Sequence, residues 1–277
     1  MHCGITPRAT IVNCFQSARL AAVILCAASS ARAADRFEIQ VYDASADKRG
    51  EAGVELHLNS FANGSTTSDP PELPLAHQSH ATLEPSYGVT DFWEIGGYLQ
   101  SAMLANGDYH YGGVKLRSKF VTTEGFSKTI RLGVNLEISN VPSIFEQNVW
   151  GGEIRPMFAV ETRRFLFAFN PIIELDLAHT PAKQVAQLSP AALGLVKVAD
   201  VIGLGFEYYG SLGPLTSPRL SIHDEHLLFE ALHVFSDRDI ELSFGVGEAI
   251  SDTQNQLIFK TIVGYTFDVS GRRNQSH

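Results

Sequence analysis

Residues 112–120 read GGVKLRSKF, and within that run Lys115, Arg117 and Lys119 fall on every second position. That spacing puts three cations on one face of a β-strand, with Val114, Leu116 and Phe120 on the other. Arg131 and Arg155 recur on the polar faces of later alternating segments, and so do Glu137, Glu153, Glu161, Glu174, Asp176 and Glu207. Opposed rows of fixed charge along one passage bias which ions and polar solutes cross it. If the rows pair with each other instead, they fill a narrow interior, because charges taken out of water need partners. Either outcome demands a closed sheet with a polar inner face.

Two His-x-x-His pairs, His77–His80 and His223–His226, are the weaker metal candidates, the second carrying Asp224 and Glu225 between its histidines. Imidazole and carboxylate suit divalent ions. However, i, i+3 histidines match a helix, and both pairs sit at loop ends, where solvated side chains are the simpler expectation. Serines and histidines are present but no nucleophile elbow is, so the sequence nominates no catalytic residue and no cofactor.

These charges must be carried by hairpins. Residues 83–100 read LEPSYGVTDFWEIGGYLQ. Ala81, Leu83 and Tyr87 alternate with His80, Thr82 and Glu84 before a tight turn predicted at 88–91. Trp93, Ile95 and Leu99 alternate with Glu94, Tyr98 and Gln100 after it. The purest period-2 run follows at 130–138, with Ile130, Leu132, Val134, Leu136 and Ile138 on one side. Similar segments recur at 54–58, 149–161, 165–177, 188–198, 202–209, 240–246 and 257–267. Residues 225–235 are ambiguous between strand and short helix. Alternation is blurred at 188–198, and 37–43 alternates only weakly.

Segments near ten residues long suit a tilted bilayer crossing. Their apolar faces are continuous and their opposite faces carry charges and glycines, which suits lipid outside and a polar interior rather than a packed sandwich. Short turns alternate with longer, proline-bearing loops. The reading is therefore all-β: a closed antiparallel transmembrane barrel of about twelve strands, with short turns in the periplasm and longer loops outside. Trp93, Trp150, Tyr208 and Tyr265 are expected at the membrane–water boundary.

The N-terminus carries Arg8 and Arg19, an apolar run at 20–28 and a small-x-small site at Ala31-Arg32-Ala33, the pattern of a secretory signal. Cleavage near Ala33 removes three arginines and no acid, moving the formal charge from −9 to −12. It also removes Cys3, Cys14 and Cys26, all the cysteines of the chain. Disulfides and thiolate metal sites then have no part in the exported protein. The expected organisation is a signal peptide over 1–33, a periplasmic or lumenal segment over 34–52 that is not a full crossing, the barrel over 53–269 and a polar tail over 270–277. The acidic balance argues against a nucleic-acid partner.

At residues 87–96, YGVTDFWEIG, and again at GGVKLRSKF, the chain resembles the proteobacterial outer-membrane barrels grouped as meta-pathway phenol-degradation transporter-like proteins. The resemblance implies an outer-membrane location in a Gram-negative bacterium, contact with membrane lipid, insertion by the barrel-assembly machinery, and passage of small solutes, hydrophobic ones included. The chain departs from the usual barrel pattern in continuing ten residues past Phe267. Two other readings stay open: a non-conducting barrel filled by its own side chains, and a lipid-modifying barrel enzyme.

Overall fold

A computed structural model describes residues 32–178, 185–235, 240–252 and 255–269. Residues outside these ranges include most of the expected signal peptide, the loop around Pro181, the turn at 236–239 and the polar tail.

Twelve strands form one closed antiparallel barrel. They are β1 (Glu51–Asn63), β2 (Ser79–Thr90), β3 (Trp93–Met103), β4 (Tyr109–Val121), β5 (Ile130–Asn140) and β6 (Trp150–Glu161), then β7 (Phe165–Asp176), β8 (Gln187–Ala199), β9 (Ile202–Gly210), β10 (His226–Phe235), β11 (Ile240–Ala249) and β12 (Leu257–Asp268). Each strand pairs with its sequence neighbours, and β1 pairs with β12 from Glu51↔Asp268 to Asn63↔Leu257, so no sheet edge is left open.

Alternation sets the two faces. In β5, Ile130, Leu132, Leu136 and Ile138 are exposed on the outside while Asn135 and Glu137 are buried inside. The hydrophobic exterior continues around the barrel through residues such as Leu56, Leu83, Leu116, Phe158, Phe167 and Phe244. Tyr87, Phe92, Tyr265 and Phe267 lie near one rim, and Tyr109, Tyr111 and Trp150 near the other. Among the described residues, two strand carboxylates interrupt the outer face: Glu230 in the middle of β10 and Glu248 near the end of β11 are exposed between outward-facing apolar neighbours.

Local structure sharpens several expectations. The turn between β2 and β3 is confined to Asp91 and Phe92, tighter than 88–91. The connection between β4 and β5 runs over 122–129 and is longer than the expected 122–125. The ambiguous segment at 225–235 is strand β10, because its backbone is claimed by β9 and β11 on either side. Gly113, at φ 123°, lies at a register shift between β3 and β4. Its left-handed backbone is one a side chain would resist.

A barrel of this size leaves room for one more chain. Twelve strands about 4.8 Å apart and tilted by about 40° give a backbone diameter of about 24 Å, and inward side chains reduce that to about the width of one extended segment. Residues 33–50 occupy the space. They begin toward the long loops, where the Asn59 amide near the end of β1 donates to the Arg36 carbonyl, and end at the short-turn rim, where the Gly50 N–H donates to the Gly88 carbonyl. The weakly alternating residues 37–43 are therefore extended but form no wall strand. They run down the lumen rather than lying only at its mouth.

This inner segment explains why alternation fails at 188–198. Ile39 and Val41 pack on inward-facing Leu166, Ala168, Ala191, Leu193, Leu195, Tyr209, Phe229 and Ile258. That side of the lumen wall is thus apolar, which corrects the expectation of a polar inner face. The wall can be apolar there because a second chain covers it, and full burial of a side chain such as Ile39 is worth about 2 kcal/mol. Phe37 joins a separate cluster with Ala102, Val141 and Phe145 near the long-loop mouth.

Candidate functional site: the occupied lumen

The charged half of the lumen is built by β1 to β6, and its cations hold the inner segment in place. Lys115 points inward from β4 and is 6% exposed. Its ammonium forms an ion pair with Asp35 and lies 3.6 Å from Glu38 and 3.5 Å from Glu137. Arg155 on β6 grips Glu153 with two hydrogen bonds, 2.6 Å from Nε and 3.1 Å from a terminal nitrogen. It also lies 3.8 Å from Glu38 and stacks its guanidinium 4.4 Å from the Tyr42 ring centre. Arg131 pairs with Asp43 at 2.7 Å and Glu161 at 2.5 Å, and Lys197 also pairs with Glu161. Asn170 on β7 behaves like a strand partner, accepting from the Tyr42 N–H at 2.7 Å and donating to the Tyr42 carbonyl at 2.9 Å. At the lower end Lys48 and Glu124 meet at 2.9 Å, and this hydrogen bond lowers the exposed Glu124 carboxyl below its ordinary range.

The sequence-selected charges all lie on inward-facing positions, but they do not form two opposed ladders. Arg117 bonds Glu84 at 2.6 Å and pairs with Glu94, and Lys119 lies 3.3 Å from Glu94. Both partners come from the neighbouring hairpin rather than from across the lumen. Lys115 and Arg131 do reach Glu137 and Glu161, yet each divides its charge with an acid of the inner segment. Glu174 faces inward directly beside Glu153 in the β6–β7 register, and Asp176 sits opposite Gly151 at the end of β7. Glu207 is paired with Lys260, a cation the alternation of β12 could have flagged because it falls between outward Phe259 and Thr261.

Neither histidine pair converges on a metal. His77 is exposed at φ 60°, whereas His80 is buried, stacked 4.4 Å from Phe37 and 2.8 Å from the Gln78 carboxamide oxygen. His223 is exposed, and His226 spends its two ring nitrogens on the Tyr208 hydroxyl at 2.8 Å and the Ser221 carbonyl at 2.9 Å. Ser243, His233 and Glu207 do meet in the lumen, at 3.4 Å and 3.2 Å. Both contacts use the same His233 nitrogen, Nε2, so the imidazole cannot take a proton from the serine while the acid steadies its other side.

Beside residues 40–47 of the inner segment, and reaching toward the short-turn end, a cavity of about 410 Å³ remains. It is lined by Asp47, Glu55, Glu84, Arg117, Lys119 and Glu241, among others. The lumen is therefore occupied by the inner segment and keeps a charged vestibule beside it, toward the short turns.

No family model matches the chain, and no curated protein does. Among solved structures, an outer membrane channel from Pseudomonas putida F1 is similar with a TM-score of 0.54 and 11% identity, over 83% of this chain and 100% of that one. The NanC porin is similar with a TM-score of 0.50 and 8% identity, over 76% of this chain and 98% of that one. At such identities the likeness is one of fold alone, between this closed twelve-stranded antiparallel barrel and those outer-membrane structures.

Proposed function

We propose that the protein is an outer-membrane channel for small solutes whose resting state is closed by its own N-terminal segment. The observation that carries this reading is the lumen itself. A wall with a lipid-compatible exterior surrounds a lumen occupied by a separate stretch of chain, residues 33–50, rather than by the wall's own side chains alone. Closed barrels with apolar outsides are built to cross lipid, and a barrel that crosses lipid exposes both mouths to water. Short turns face the periplasm in this reading, membrane lipid covers the outer face, and the barrel-assembly machinery inserts the chain after cleavage near Ala33.

With the segment displaced, the passage has one charged wall and one apolar wall. That suits small solutes with a hydrophobic body and a polar group, in keeping with the hydrophobic cargo implied by the sequence resemblance. The competing reading, a non-conducting barrel, draws support from the buried ion pairs of Lys115 and Arg155, which would anchor a permanent filling equally well.

Planar-bilayer recordings on the mature chain and on a variant lacking residues 34–46 separate the two. The channel reading expects rare or small openings for the mature chain and steady conductance for the deletion variant. A folded deletion barrel that passes no current would overturn it.

A further inference from the structure

Among the described residues, one group of His and carboxylate side chains has the geometry of a metal site, and it is not one of the histidine pairs. Glu55 and His57 are two residues apart on β1, so both face the lumen, and Glu84 lies directly opposite Glu55 on β2. His57 Nε2 is 3.0 Å from Glu84 Oε2 and 3.3 Å from Glu55 Oε2, and the three atoms lie within 4.8 Å of one another. Zinc bonds of about 2.1 Å in tetrahedral geometry place ligand atoms about 3.4 Å apart. Two edges of that triangle lie within about 0.4 Å of that length, and the third closes by a rotation of Glu55, whose side chain is 28% exposed.

Three further features favour a ligand here over a simple ion pair. His57 is fully buried, and Glu55 Oε2, 3.3 Å from His57 Nε2, is buried without a hydrogen-bond partner. Glu84 is already neutralised on its other oxygen by Arg117, at 2.6 Å, which fixes the carboxylate and leaves Oε2 directed at His57. Opposite them, Gly264 keeps the space open: a Cβ there would lie 3.1 Å from Glu55 Cγ and 3.4 Å from Glu241 Cβ. Glu241 thus adds a third carboxylate beside the group, with Arg117 the nearest cation bonded to it. The group borders the vestibule, so ions from the short-turn side have a path to it.

We infer that Glu55, His57 and Glu84 bind one divalent cation of the zinc type, through one imidazole nitrogen and two carboxylate oxygens, with the fourth position open to the vestibule. Mixed nitrogen and oxygen donors suit borderline ions over calcium or magnesium. The ligands stand on two hydrogen-bonded wall strands, so the site is held whether or not the barrel conducts.

The test is Zn2+ titration of the tag-free, chelator-stripped barrel in detergent, in competition with a chromophoric chelator. One equivalent per chain is expected. His57→Gln and Glu55→Gln should each weaken binding by more than about 10-fold, the lower end of what is lost when a group that only orients a ligand is removed. Co2+ substituted for Zn2+ should give the visible absorption of a four-coordinate ion, lost in His57→Gln. Folding of each variant is checked by heat-modifiable migration, and Glu55→Gln decides the matter if His57→Gln does not fold. No bound Zn2+ in the parent would overturn the inference and leave His57 as an imidazolium bridging two carboxylates. Unchanged affinity in a folded variant would overturn it too, assigning the bound ion to surface histidines such as His77 and His223.

Discussion

Replacing Lys115 with methionine should release the inner segment without dismantling the barrel. One buried ammonium serves three carboxylates, Asp35 and Glu38 of the segment and Glu137 of β5. Methionine keeps most of the volume but removes the shared cation, leaving Asp35 with the Phe37 N–H, Glu38 with the Tyr42 hydroxyl and with Arg155 at 3.8 Å, and Glu137 with the Asn135 amide. Removing one partner of a buried pair costs about 3–5 kcal/mol. The cost falls on docking of the segment, because the β3–β4–β5 backbone ladder does not involve this side chain. At about 1.4 kcal/mol per factor of ten, the undocked population should rise by about 100-fold or more. The expected signal-free chain has no cysteine, so a single cysteine at Ile39, 1% exposed when docked, reports undocking through its rate of maleimide labelling. Lys115→Met should accelerate labelling by about 100-fold at unchanged heat-modifiable migration. Asp35→Asn, which alters only the segment's side of the contact, should accelerate it in the same direction. If both folded variants label within about 3-fold of the parent, a gap under 1 kcal/mol, the charged cluster does not hold the segment.

Two further perturbations probe separate parts of the fold. Asn170→Ala removes both hydrogen bonds to the Tyr42 backbone and leaves a buried N–H and C=O unpaired, at about 1–3 kcal/mol for each group. Faster labelling at position 39 by at least about 10-fold is expected, and an unchanged rate would show that water replaces the amide at no cost. Glu230→Leu replaces a carboxylate in the middle of the lipid-facing band of β10. Refolding into lipid vesicles should show a gain of about 1 kcal/mol, since charges on that face are destabilising. A loss would mean that Glu230 has a partner in the membrane.

Period-2 patterning determined the wall, its inside and outside, and the inward placement of Lys115, Arg117, Lys119, Arg131 and Arg155, because in a half-buried strand the next residue always faces the other way. Their partners were not legible. Two of the three acids that meet Lys115 come from residues 35 and 38, about eighty positions away, and only barrel closure brings them together. The blurred stretch at 188–198 was unreadable for the same cause: its inner side chains are apolar because another segment lies against them, and no local pattern records a cover supplied from elsewhere. Glu55 and His57 fall two positions apart in the alternating stretch at 54–58, but the cross-strand register that sets Glu84 beside them exists only once β1 and β2 pair. Local alternation fixes which way a side chain points; what it meets there depends on lumen width, strand register and the path of residues 33–50, all of which are long-range.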